Sequence, residues 1–149
     1  MKPIAENKKA RFDYEIHETY EAGIALTGQE VKSAKGGRFN LSGSYAVLRQ
    51  NELWLINAQI PAYQPKNAPA DYDAGRTRRL LLHHNEIKSL VGKLQQKSFT
   101  LVPLRTYLKN GFIKHELGLG RSRKKSDKRE LLKKRAAERE MRKKESGRE

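Results

Sequence analysis

Apolar and polar positions alternate from Arg11 onward. Phe12, Tyr14 and Ile16 fall on one face and Arg11, Asp13, Glu15 and His17 on the other, a period of two that predicts a first strand. Extended chain continues from Tyr20 to Leu26, with Gly23 as a bulge where the strand bends, and Met1 to Glu6 reads as loose. Thr27-Gly28-Gln29-Glu30 has the form of a capping box and opens a short helix, Gly28 to Lys35, that Gly36-Gly37 ends. Ser44 to Gln50 and Leu53 to Ile60 form a hairpin turning at Gln50-Asn51-Glu52, with Tyr45, Val47, Leu53, Trp54 and Leu55 supplying core or half-buried surface. Pro61 to Gly75 holds three of the five prolines and is expected to be a long irregular loop, of a kind that is usually functional or disordered.

After that loop, Arg76, Arg78 and Arg79 precede the apolar run Leu80-Leu81-Leu82, and His83-His84-Asn85 opens a helix. Its Ile87, Leu90, Val91 and Leu94 repeat at the spacing of one buried face. Phe99 to Tyr107 and Phe112 to Leu119 are strands joined through Asn110-Gly111, the dipeptide that best tolerates a type I′ turn. The economical architecture is mostly β: a closed, antiparallel, six-stranded barrel of the oligonucleotide-binding (OB) type with flanking short helices.

Charge changes the picture at the C-terminus and divides the chain into a body, residues 1–120, and a tail, residues 121–149. The tail holds 14 Lys or Arg against 6 acids, a net +8. Leu131, Leu132, Ala136, Ala137 and Met141 make too thin an apolar stripe to dock firmly on a core. Asp127 can cap a helix, Glu130 follows as in a capping box, and Glu130/Lys134, Glu138/Arg142 and Glu140/Lys144 are favourable pairs one turn apart. The tail is therefore expected to be disordered or frayed when free and a basic helix when bound to nucleic acid. A merely solubilising tail is the plainer reading; a membrane or calmodulin helix lacks large apolar anchors.

The body is basic as well, with 18 Lys or Arg against 11 acids, and a pI near 10.1 makes nucleic acid the first partner to consider. The chain has no cysteine, which excludes disulfides, thiolate zinc sites and a Cys nucleophile and is compatible with a reducing cytosol. No apolar run approaches ~18 residues and no signal-like segment follows the start, so a cytoplasmic protein without a membrane partner is expected, acting as a monomer. Catalytic readings are weak. His83 and His84 are neighbours and cannot both face one metal along a regular element, no phosphate-binding glycine loop or nucleophile elbow occurs, and nothing fixes the geometry of a His17/Glu21 acid-base pair. No catalytic residue, metal or cofactor is expected.

A series of motifs nevertheless carries a specific resemblance. Asn7-Lys8-Lys9-Ala10-Arg11, Glu18-Thr19-Tyr20-Glu21-Ala22-Gly23-Ile24, Gly28-Gln29-Glu30-Val31-Lys32-Ser33, Asn40-Leu41-Ser42-Gly43-Ser44-Tyr45, Thr77-Arg78-Arg79-Leu80-Leu81-Leu82, Lys109-Asn110-Gly111 and Asp127-Lys128-Arg129-Glu130 resemble, in order, the motifs of the SmpB or SsrA-binding family of bacteria. That resemblance implies an OB-type barrel that binds transfer-messenger RNA (SsrA) at its tRNA-like domain and delivers it to ribosomes stalled on broken messages, for trans-translation.

By the same resemblance Asn7, Glu21, Leu81 and Lys114 are the positions tied to RNA binding. Glu21 can accept from a base amine or a 2′-hydroxyl, or orient a nearby cation; Leu81 can pack on an exposed base or belong to the core. Lys114, Lys8, Arg11, Lys32, Arg76, Arg78 and Arg79 are candidates to neutralise phosphates. The tail is implied to occupy the empty decoding site of 16S rRNA and the message channel, through Arg123, Lys124, Asp127, Lys128 and Arg129. Ser122 departs from a common glycine, and Ser126 stands where an aromatic or His usually precedes the Asp-Lys-Arg triplet, which removes a ring able to stack on a decoding-centre base. The alternative is a ribosomal or ribosome-assembly protein that binds rRNA.

Overall fold

The computed structural model describes residues 1–96 and 98–146. Among these residues it is mostly antiparallel β, with seven strands, three short α-helices, a single 3-10 turn (Pro65–Asn67) within the otherwise irregular 61–75 segment, and a long C-terminal helix. The strands are β1 (Lys2–Glu6), β2 (Tyr14–Ile24), β3 (Tyr45–Arg49), β4 (Glu52–Ile56), β5 (Arg78–Leu81), β6 (Phe99–Lys109) and β7 (Phe112–Ser122). The helices are α1 (Lys8–Asp13), α2 (Gly28–Lys35), α3 (His84–Leu94) and α4 (Lys125–Ser146). Hydrogen bonding orders the strands β1-β6-β3-β4-β5-β2-β7, and β6 also pairs with β7. The interior is filled by Phe39, Leu41, Leu53, Leu55, Leu80, Leu90, Leu101, Leu117 and Leu119.

Several elements form for local reasons. Thr27 Oγ1 accepts from the Glu30 amide at 3.3 Å while Glu30 Oε1 accepts from the Thr27 amide at 2.9 Å, so α2 starts where its capping box predicts. Its end falls at Gly36, and Gly37 takes the left-handed φ of +86°. Asn110 and Gly111 have φ of +52° and +81°, the two left-handed residues that a type I′ turn between β6 and β7 requires.

The N-terminal third differs from the sequence reading. Residues Lys8–Asp13 are helical, not the start of a strand, because Asn7 caps them: its Oδ1 accepts from the Ala10 amide at 3.2 Å. The alternation over Arg11 to Asp13 is thus the end of a helix whose buried residue is Ala10. Residues Lys2–Glu6, read as loose, instead pair with β6 from Lys2↔Leu108 to Glu6↔Arg105, adding a seventh strand to the six expected. Pro3 is tolerated there because β1 is an outer strand. The bulge in β2 falls at His17, between Ile16 and Glu18, and Gly23 keeps regular register. Close approach is decisive at Gly120, where a Cβ would lie 2.4 Å from the Glu15 carbonyl oxygen.

Two further boundaries move. The β4 ladder stops at Ile56 rather than Ile60 because Asn57 turns to a φ of +66°. In the tail, α4 begins at Lys125, so Asp127 is not its cap but reaches back from the first turn to accept from the Lys124 amide at 3.3 Å. The root of α4 also docks, through cations rather than the thin apolar stripe: Lys128 pairs with Asp13 at 3.0 Å, and the Arg123 amide donates to the Asp13 carbonyl at 2.8 Å. Tail residues Gly147, Arg148 and Glu149 lie outside the described residues.

Candidate nucleic-acid interface

Sheet register gathers residues that are far apart in sequence into one row. Gly23 stands opposite Leu81 on β5 and opposite Lys114 on β7, and Lys114 stands opposite Tyr107 on β6. With no side chain at Gly23, Leu81 and Lys114 reach over it: a Cβ there would meet Leu81 Cβ at 3.5 Å and Lys114 Nζ at 3.6 Å. Leu81 is 47% exposed, which settles its two readings in favour of a surface apolar residue; the strand alternation puts Arg78 and Leu80 inside and Arg79 and Leu81 outside.

Beside this row is a groove of about 320 Å³, with Leu26, Val31, Leu81 and Phe112 among its apolar walls and Lys35 and Lys114 as its cations. Phe112 is 68% exposed, and Lys114 Nζ lies 5.9 Å from its ring centroid. The sequence reading missed Phe112. Its one signal was position, since an aromatic immediately after an Asn-Gly turn is carried out to the tip of a hairpin.

Glu21 lies two residues along β2 from Gly23. Tyr107 donates its hydroxyl to Glu21 Oε2, and Lys109 Nζ lies 3.2 Å from both carboxylate oxygens. The hydrogen bond from Tyr107, helped by Lys109, holds the carboxyl below its ordinary range against the opposing effect of burial. Burial and the bond to Glu21 push the Tyr107 hydroxyl up, so it stays a donor. In this state Glu21 orients a cation, one of the three roles open to it from sequence.

The remaining candidates divide. Lys8 and Lys32 are exposed and make no ion pair with another described residue. Arg11 lies on Glu116 at 2.9 Å, a carboxylate shared with Arg105 at 3.2 Å, and Arg79 faces Glu52 at 3.5 Å. Arg76 keeps 41% of its side chain exposed but binds Glu30 at 2.7 Å.

Two candidates are corrected, because neither presents its side chain to solvent. Asn7 is buried; its amide donates to the carbonyls of Leu41 at 3.2 Å and Pro103 at 2.9 Å while its oxygen caps α1. Arg78 is fully buried, bound to Glu30 at 2.6 Å and donating to the carbonyls of Ala58 and Ala74. Burial by itself would raise the Glu30 pKa, but hydrogen bonds from Arg76, the Thr27 amide and Arg78 outweigh it and hold the carboxyl at about 2.

In the tail, Lys124, Ser126, Asp127 and Arg129 are exposed, whereas Arg123 and Lys128 are half-buried at Asp13. The conceivable His17/Glu21 pair is not assembled: His17 packs edge-on against Phe99 and faces Glu15 at 4.0 Å, while Glu21 is held by Tyr107 and Lys109. His115 is buried, with Nδ1 2.8 Å from Thr106 Oγ1, and burial pushes its pKa down to about 3, so it is a neutral core residue. Among the described residues no three His, Asp or Glu side chains are grouped to hold a metal, and no helix is long and apolar enough to cross a membrane.

Fold and groove together define a basic, mostly antiparallel β-protein with an apolar, cation-edged groove and a cationic helical arm. The sequence model described as SmpB protein matches residues 4–146. The chain is 51% identical over 140 residues to the SsrA-binding protein of a Nostoc species, covering 94% of this chain and 90% of that one. It is 49% identical over 141 residues to the SsrA-binding protein of a Synechocystis species, covering 95% and 92%. A solved structure described as "tmRNA-SmpB: a journey to the center of the bacterial ribosome" superposes with a TM-score of 0.68 at 46% identity, over 87% of this chain and 94% of that chain. The chain belongs to the SmpB family.

Proposed function

We propose that this chain binds transfer-messenger RNA at its tRNA-like domain and brings it to stalled ribosomes for trans-translation, without catalysing a reaction itself. Residues 1–120 act as an OB-type barrel closed by the β6–β7 pairing, and residues 121–149 act as a tail that enters the decoding site and message channel. The names carried by its relatives, SsrA-binding protein, and by the solved tmRNA-SmpB assembly support the two partners.

One observation carries the RNA contact. Leu81 and Lys114 converge over Gly23 beside exposed Phe112, so an apolar surface that accepts an unstacked base lies next to a cation that accepts its phosphate. Glu21 on β2 sets the position of Lys109 on β6, and Lys8, Arg11, Lys32, Arg76 and Arg79 add further charge for the backbone.

The tail works differently. With Leu132 and Met141 exposed, the apolar stripe of α4 stays uncovered, so the arm is disordered or frayed in the free protein beyond its root and takes its shape among rRNA phosphates. Arg123, Lys124, Lys128 and Arg129 supply those contacts and Asp127 orients the first turn. The protein acts as a cytoplasmic monomer on the ribosome.

Purification of the tagged full chain from cells, followed by sequencing of the RNA it carries, tests this. One dominant species with a tRNA-like fold is expected; rRNA fragments without it would point to a ribosomal or assembly role instead.

A further inference from the structure

The long segment between β4 and β5 is pinned to α2, although nothing in the groove requires it. Ser33 Oγ donates to the Pro61 carbonyl at 2.5 Å, and Arg38 Nη1 donates to the carbonyls of Ala62 at 3.5 Å and Tyr63 at 3.3 Å. The base of the segment is closed by the Ile60 amide on the Ala74 carbonyl at 2.9 Å and by the Tyr72 hydroxyl on the Ile60 carbonyl at 2.6 Å. At the end of this held backbone Tyr63 is 42% exposed, and Lys32 Nζ stands 5.9 Å from its ring centroid. Among the described residues Tyr63 has no aromatic neighbour, and Lys32, Lys35 and Arg38 form no ion pair.

A single exposed tyrosine is ordinary, and a loop tip gives it no reason to be held still. Here the backbone from Ile60 to Tyr63 is hydrogen-bonded at each residue and flanked by cations that no described acid neutralises. It also adjoins the groove, because α2 is a wall common to both: Val31 and Lys35 line the groove, while Lys32 and Ser33 meet the Tyr63 segment. Lys32 and Lys35, one turn apart, therefore lead from one aromatic surface to the other.

We propose that Tyr63 is a second stacking platform, taking an unpaired base of the RNA whose neighbouring nucleotides lie in the Leu81–Lys114 groove, with Lys32 and Arg38 neutralising the intervening phosphates. This rests on the RNA-binding reading given above. An RNA loop can offer such bases at little cost because they are already unstacked. The aromatic ring contributes affinity that is indifferent to salt, and the cations contribute affinity that is not. Since the backbone is already fixed, binding orders little more than the ring itself.

The test measures the affinity of the full chain for a transcript of the tRNA-like part of transfer-messenger RNA at several salt concentrations. Tyr63→Ala should weaken binding roughly 5- to 100-fold, the range for loss of one stacked base, with the salt slope unchanged. Tyr63→Phe should bind within about twofold of the parent, as stacking needs the ring and not the hydroxyl. Lys32→Gln should lower the log-log salt slope by about one. Unchanged thermal midpoints would show that these exposed changes leave the fold intact.

Parent-like affinity of Tyr63→Ala, with binding still weakened in Lys114→Gln, would overturn the platform alone. Equal weakening by Tyr63→Phe and Tyr63→Ala would overturn stacking. If Lys114→Gln and Tyr63→Ala both bind like the parent, the RNA reading of the groove fails with it.

Discussion

Lys128 on α4 and Asp13 at the end of α1 form an ion pair at 3.0 Å, which ties the cationic arm at its root to the helix that Asn7 caps. Two cations of the arm approach the Phe12 ring, Lys128 at 5.7 Å and Arg135 at 5.8 Å from its centroid. Partly exposed pairs of this kind contribute on the order of 1 kcal/mol or less each, so the tie holds in the free protein and yields to a row of phosphates.

Asp13→Asn should therefore loosen the arm without harming the body. Hydrogen exchange of amides 125–135 is expected to quicken several-fold while the unfolding midpoint of the body moves little. Equal exchange in both proteins would mean that the pair does not hold the arm.

Glu30 binds buried Arg78 and half-exposed Arg76 at once, and its loss leaves a charge without a partner in the interior. Glu30→Gln should cost roughly 3–5 kcal/mol in urea unfolding at pH 7. The carboxyl titrates at about 2 in the fold against an ordinary 4.5, so its contribution is complete above pH 4.5 and is lost as pH falls towards 2. The stability gap between parent and variant should shrink across that window; a gap that stays constant from pH 5 to pH 2 would contradict the assignment.

His115 acts in a higher window. Its folded pKa of about 3 lies below the ordinary 6.5, so between these values the unfolded chain binds a proton that the fold refuses. Stability should thus fall as pH drops below 6.5, by about 1 kcal/mol at pH 5.5. His115→Gln removes this dependence, and an identical decline in the variant between pH 7.5 and 5.5 would assign it elsewhere.

Glu21 and Tyr107 should behave as one unit in RNA binding, since each holds the other beside Lys109. Glu21→Ala and Tyr107→Phe are each expected to weaken the complex by about tenfold or less, and the double variant little more than the worse single one. Fully multiplicative losses in a binding titration would show that the two contact RNA separately.

Legibility in the sequence followed the range of the interactions. Thr27 and Glu30 cap α2 across three residues, and Asn110-Gly111 turns a hairpin on its own backbone, so both could be read directly. Asn7 could not: its amide satisfies carbonyls 34 and 96 residues away, and without those the alternation around Phe12 imitates a strand. Arg78 and Arg79 look equivalent in the chain. Only the start of β5 at Arg78 decides which guanidinium is buried and which is exposed. Leu81 and Lys114 were named through the resemblance to a family, but their meeting over Gly23 depends on pairings across three strands. Phe112 carried no pattern beyond its place after a turn, and the root contacts of α4 depend on α1, which the alternation had concealed.

The affinity of three proteins for the tRNA-like transcript tests the division of labour most directly: the parent, Lys114→Gln, and a chain ending at Lys124, just beyond the last residue of β7. A body that grips RNA through the groove should lose about tenfold in Lys114→Gln while the shortened chain stays within about threefold of the parent. A shortened chain that loses binding while Lys114→Gln retains it would place the RNA contact on the arm and contradict the account.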